Sequence, residues 1–265
     1  MPVPPKAHLA ALRAEIAALE EPARLSRQVL PLGDARLDAC LPGGGFGLGR
    51  WHEFLGEGLE AETGAAVAGF VARLAAPLAR VGGELVWVLR RDDLHAPGLA
   101  GLGFPTERLI QVCARDDDEA LAVLEDALRT PGVAAAFGEV ADVDLTAGRR
   151  LQLACEQASA TGFVLRRRPF GGATTSEAGT AAATRWTIAP SPSEPVSVAL
   201  TNGPPLALGL GPPRWRASLD RCRGGRTGAW ILEAREDDDA PHPFRLVADL
   251  ADRDLAAQTP LRLVG

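Results

Sequence analysis

Eight residues, Gly56-Glu57-Gly58-Leu59-Glu60-Ala61-Glu62-Thr63, stand where a β-prone run ends and an alanine-rich run begins. In the pattern G-x-x-x-x-G-K-[ST], such a stretch cradles phosphate. Backbone amides close around it, the lysine meets the β and γ charges, and the hydroxyl holds magnesium. Here only Gly56 and Thr63 match, and Glu62 fills the lysine position. A carboxylate about 4 Å from a phosphate charge, at an effective dielectric near 20, repels by ~4 kcal/mol where lysine attracts by as much. That swing of roughly 8 kcal/mol exceeds the ~1 kcal/mol a helix N-terminus returns, and Glu57 and Glu60 add to it. The expectation is a degenerate phosphate loop, with neither ATP nor magnesium as cofactor and no hydrolysis.

Three other groups could carry chemistry. The run VAAAF ends in Gly138-Glu139, where a Walker B strand would present a carboxylate to magnesium; Glu139 is a candidate remnant or a polar strand end. Asp92-Asp93, after the Trp87 run, could place a carboxylate at the same edge of a parallel sheet. Arginines gather at Arg166, Arg167 and Arg168, and again at Arg214, Arg216, Arg221, Arg223 and Arg226. The guanidinium fork suits phosphate, so these are candidate DNA or partner contacts, against the alternative of solvated charge or ion pairs with the acidic runs. No metal site is expected. Cys40, Cys113, Cys155 and Cys222 form no C-x-x-C pair and have no histidine at ligand spacing, so they read as reduced structural thiols.

The elements that position these residues alternate. Trp51 to Leu55 is a strand, and residues 63 to 80 form a helix with Val67, Phe70, Val71 and Leu74 on one side. Strands follow at residues 84–89, 108–112, 133–137 and 162–165. Between them lie helices at 97–102, at the acidic start Asp116 to Glu119, and at Asp144. Alternation of this kind calls for a parallel sheet with right-handed crossovers. Residues 168–183 read as a mobile loop before a strand at 185–188, and 189–213 as irregular. Arg214 to Cys222 alternates, with Trp215, Ala217 and Leu219 on one face, and Gly224-Gly225 turns it into a second strand at 229–234, a C-terminal antiparallel hairpin.

At the N-terminus, Leu9, Leu12, Ile16 and Leu19 make one apolar stripe on a short helix, which must dock on its own core or on another molecule, self-association included. Three parts are therefore expected: residues 1–26 as an N-terminal arm, 27–235 as the core, and 236–265 as an acidic, proline-containing flexible tail. The formal charge of −6 argues against a generally basic surface, so any nucleic-acid contact must be a local patch. There is neither a signal-like apolar region nor a membrane-length run, and a cytoplasmic protein is expected.

From residue 27 to 235 the chain resembles the RecA superfamily. The likeness rests on LDACLPGGGFGLGRWHEFLG, with its Asp38, glycine cluster and Gly49-Arg50 pair, and on the succession from Leu85 to Leu128. More closely, LPGGGFGLGRWHE, WVLRRDDLHAPGLAGLGFPTERLI, DLTAGRRLQLACEQASATGFVLRR, AAATRW and PRWRASLDRCRGGRTGAWILE resemble the ImuA family of RecA-related accessory proteins. The resemblance implies an α/β fold with a RecA-like core, a mostly parallel sheet flanked by helices. It also implies action in SOS-induced, error-prone translesion DNA synthesis, with three partners: the ImuB-like protein, which resembles a Y-family polymerase, an error-prone C-family DNA polymerase, and RecA. Two other readings compete: a divergent DNA-dependent ATPase of the recombinase family using Glu139, and a SulA-like inhibitor of cell division.

Overall fold

The structure, a computed structural model, describes residues 28–80, 82–167, 180–198, 206–235 and 242–250. The apolar stripe of Leu9, Leu12, Ile16 and Leu19, Arg168, and the last fifteen residues lie outside the described set.

Six parallel strands form the centre of a nine-stranded sheet: β1 (Trp51–Gly56), β2 (Glu84–Leu89), β3 (Leu109–Cys113), β4 (Val133–Val140), β5 (Thr161–Arg166) and β6 (Thr184–Ser191). Three antiparallel strands extend it beyond β6: β7 (Arg214–Cys222), β8 (Gly228–Ala234) and β9 (Phe244–Asp249). The spatial order is β9-β8-β7-β6-β1-β5-β4-β2-β3. The mostly parallel sheet, its flanking helices and the terminal hairpin are those the sequence predicts.

Apolar residues on alternate positions of each strand divide the core in two. On one face, Trp87, Phe137 and Phe163 lie side by side on β2, β4 and β5, with ring centroids 4.7 and 4.8 Å apart. Helix α1 (Glu60–Arg80) covers this row through Val67, Phe70, Val71 and Leu74. On the other face, α2 (Asp117–Arg129) and α3 (Leu145–Ala158) bury Leu124, Leu128, Leu151 and Cys155 against Trp51, Val88 and Val164. Both helices start as their sequences require: the Asp116 and Asp144 side chains accept from the third amide along, which caps an otherwise unpaired donor.

Three expectations need correction. The core does not stop at residue 235: Phe244–Asp249 is a full strand of the sheet. Phe244 is fully buried and stacked on Phe70 at 4.8 Å, and the buried Arg73 donates to the Pro243 carbonyl at 3.0 Å. The acidic run and the prolines before it conceal a strand whose pairing partner, β8, supplies the missing order. Residues 180–183, expected within a mobile loop, include the buried Thr180, Ala182 and Ala183. Within the segment expected to be irregular, Val196–Val198 pairs with Leu206–Gly209.

Candidate functional site

The carboxyl ends of β1, β2, β4 and β5 converge where ligands sit in open α/β sheets. The loop between β1 and α1 is short, because the helix begins at Glu60 rather than at Thr63 as the sequence predicts. Several of its groups are bonded internally: the Glu57 amide donates to the Ile188 carbonyl at 3.0 Å, and the Thr63 hydroxyl to the Leu59 carbonyl at 3.0 Å. A Cβ on Gly56 would stand 2.2 Å from the Thr63 oxygen, so the strand end admits only glycine. Gly56 and Thr63 therefore serve the contact between strand and helix, and the threonine hydroxyl faces a carbonyl. Glu62 is exposed on the first turn of α1.

A single guanidinium occupies the centre of this edge. Arg167, just past the end of β5, places Nε 2.8 Å from Glu60 Oε1, Nη2 2.6 Å from Asp93 Oδ2 and Nη1 3.5 Å from Glu139 Oε2. Glu139 is buried, and its other oxygen accepts from the Trp87 indole at 3.1 Å. Burial raises the Glu139 carboxyl above its ordinary range, opposed by the charge of Arg167 and by the indole bond. Arg167 brings together the loop, the segment after β2 and the end of β4, which in a nucleotide-binding relative would face the phosphates and their cation. Arg167 itself, always protonated and with no acceptor, cannot take a proton. The lysine of the phosphate pattern is missing, the loop is shortened, and Glu60, Asp93 and Glu139 share one guanidinium.

A second network lies beneath the first. Glu53, fully buried in the middle of β1, receives Arg166 Nη1 at 2.5 Å and Arg185 Nε at 2.8 Å. Arg166 also bonds Asp142 and the Ala141 carbonyl. Among the described residues no group of three or more His, Cys, Asp or Glu side chains could hold a metal ion, the four cysteines are free, and no helix is long and apolar enough to cross a membrane.

No family model matches the chain. Curated proteins named Protein ImuA from two strains of Caulobacter vibrioides are 56% identical to it over 252 residues, which covers 93% of this chain and 100% of theirs. The chain belongs to the ImuA family. Among solved structures, a KaiC-like protein from the archaeon Pyrococcus horikoshii aligns over 84% of this chain and 100% of its own, at TM-score 0.51 and 13% identity, a likeness of fold. SulA from Pseudomonas aeruginosa aligns over 44% of this chain and 96% of its own, at 20% identity and TM-score 0.38, too low to carry an argument.

In this ImuA-family protein the arginine clusters separate by role. Arg166 and Arg167, expected as contacts for DNA or a partner, are drawn inward by Glu53, Glu60, Asp93 and Glu139, because a strand end in a carboxylate-rich edge supplies nearer partners than solvent does. In the hairpin, Arg214 pairs with Glu233 at 2.5 Å and Glu194 at 3.2 Å, and Arg216 pairs with Glu57. Arg221, Arg223 and Arg226 are exposed at the hairpin tip. Sequence reasoning places Glu139 and Asp93 near the site but misses Glu53, whose only signal is a carboxylate inside an apolar strand. It also misses Glu60 as a partner for Arg167.

Proposed function

We propose that this ImuA-family protein is a non-hydrolysing, RecA-like accessory factor of SOS-induced, error-prone translesion synthesis. On this reading it bridges an ImuB-like protein, an error-prone C-family polymerase and RecA. The observation that carries it is the position of Arg167. Its guanidinium ties together Glu60, Asp93 and Glu139 at the sheet edge where a nucleotide-binding relative would bring phosphates and a cation. The edge is thereby held together without a ligand, and the fold acts as a surface for protein partners. A cleft of about 490 Å³ beside it, floored by Ala65, Ala68 and Gly69 of α1 and walled by Leu94, Leu99 and Leu102, gives such a partner apolar ground.

The test is steady-state ATP turnover by the purified protein, alone and with single-stranded DNA, RecA and the two polymerase-like partners. Turnover at background in every mixture is expected, together with co-purification of the partners in the absence of nucleotide. Turnover that disappears in Thr63→Ala would establish a divergent ATPase instead.

A further inference from the structure

The glycine cluster and the Gly49-Arg50 pair ahead of β1 take no part in the site described above. They lie at the opposite, amino edge of the sheet, where Gly43, Gly47 and Arg50 line a groove of about 470 Å³. Its walls are apolar, from Val29, Leu41 and Leu48, and its cations are Arg50 and Arg223. None of the lining residues is acidic. His52 at its base is locked neutral: its ring bonds the Thr184 hydroxyl at 2.7 Å and the Gly47 carbonyl at 2.8 Å, and burial, aided by the nearby charge of Arg50, holds its pKa down.

The hairpin tip borders this groove. Gly224 and Gly225 approach Pro42, and the Arg226 amide donates to the Cys40 carbonyl at 2.9 Å. The tip arginines are distinct in their pairing. Arginines elsewhere in the sheet and helices, such as Arg90, Arg115, Arg166 and Arg214, meet carboxylates. Among the described residues Arg221, Arg223 and Arg226 meet none, and the Arg223 side chain bonds only the Ala181 carbonyl, at 2.8 Å. In a chain of net charge −6, unpaired arginines gathered on one rim mark a place for an external anion. At the lip, Gly43 has φ of +75°, a left-handed conformation that favours glycine and leaves the main chain without a side chain over it.

The geometry points to a contact for the phosphodiester backbone of single-stranded nucleic acid, formed by Arg50, Arg221, Arg223, Arg226 and the glycine lip. The one aromatic ring among the lining residues, His52, is fully buried and offers no face for base stacking, so the contact is to the backbone and indifferent to sequence. It is independent of which proteins dock at the carboxyl edge.

Fluorescence anisotropy of labelled dT20 and dA20 with the full chain tests this. Four arginine–phosphate contacts give a slope of log K against log salt near −3, so binding weakens about fiftyfold between roughly 50 and 200 mM salt, equally for both oligonucleotides. Arg221→Ala/Arg223→Ala/Arg226→Ala should reduce the slope by about 2. Arg221→Ala/Arg226→Ala, which breaks no described side-chain bond and so guards against misfolding, should reduce it by about 1.4. Arg149→Ala, an exposed arginine on α3, should leave it unchanged. Absence of salt-dependent binding overturns the proposal, as does binding the double variant leaves intact. Full displacement by millimolar inorganic phosphate would reassign the groove to a small anion, and displacement by poly-L-glutamate with no binding of dT20 would reassign it to an acidic protein segment.

Discussion

At the scale of single residues, Arg167 and His52 show two ways of keeping a polar group inside. Arg167 is a counter-charge: truncating it leaves Glu139 and Glu60 beside one another in a buried corner. Breaking a buried pair from one side costs about 3–5 kcal/mol, whereas removing both partners costs much less. Arg167→Ala should therefore lose about 3 kcal/mol in urea unfolding. Arg167→Met/Glu139→Gln should recover part of that loss, and Arg167→Lys should fall short of wild type because a point charge cannot fork to three carboxylates. His52 is the opposite case, a neutral ring in a closed network. Its Nε2–H donates to Gly47, and its Nδ1 accepts from Thr184, whose oxygen in turn accepts the Trp186 indole at 2.8 Å. Its pKa falls to about 3 in the fold. Because the unfolded chain then binds the extra proton first, stability is full above the ordinary histidine value and declines as pH falls from about 6.5 toward 3. The slope is about 1.4 kcal/mol per pH unit from this one group. Urea titrations at pH 6 and pH 5, above the carboxylate range, should show it, and His52→Gln should flatten it. Of these two roles the sequence discloses little. Glu62 announces a hostile loop by its place in a motif, but Arg167 acquires its partners only when distant strand ends meet.

At the scale of elements, what is local is legible and what depends on pairing is not. The caps at Asp116 and Asp144, the apolar stripe of α1 and the alternation of β7 are written in neighbouring residues, and the structure has each of them. The start of α1 is misread because a phosphate-loop register is imposed on residues that instead make an early helical turn. Rebuilding the motif with Ala61→Gly/Glu62→Lys supplies the lost glycine and lysine, yet Glu60 remains bound to Arg167 and the loop remains short. Millimolar Mg-ATP should give that variant no thermal stabilisation; a shift of several degrees would mean that the lysine alone had been missing. Strand β9 is hidden for a related reason, since a short run after prolines has no pattern of its own until β8 orders it. Phe244 lies in the aromatic cluster with Phe70 and Trp215, so Phe244→Ala should cost about 3–5 kcal/mol. Ending the chain after Arg235 should abolish cooperative unfolding, because the truncation also strips the Pro243 carbonyl from the buried Arg73. Retention of a wild-type midpoint by that truncation would restore the boundary expected from sequence.

For the whole molecule, the parallel order follows from alternating strands and helices, and the balance of charge follows from how the sheet sorts its arginines. At the carboxyl edge, guanidinium groups are consumed within the fold by Glu53, Glu60, Asp93 and Glu139; at the amino edge Arg221, Arg223 and Arg226 are exposed. A ligand shifts a conformational equilibrium only by its differential affinity for two states. On the proposed reading, an edge closed by its own ion pairs would offer a nucleotide neither a site nor a second arrangement to select. The proposed assembly with the ImuB-like protein and RecA should therefore be the same with ATP, with ADP or with neither, and the same after magnesium is chelated. Pull-downs from purified components would record this, with amide hydrogen exchange across β1, α1 and β4 as the structural readout. Partner yields that rise severalfold with ATP, or protection of residues 56–63 on its addition, would show that the edge opens and that Arg167 is a displaceable occupant rather than a permanent one.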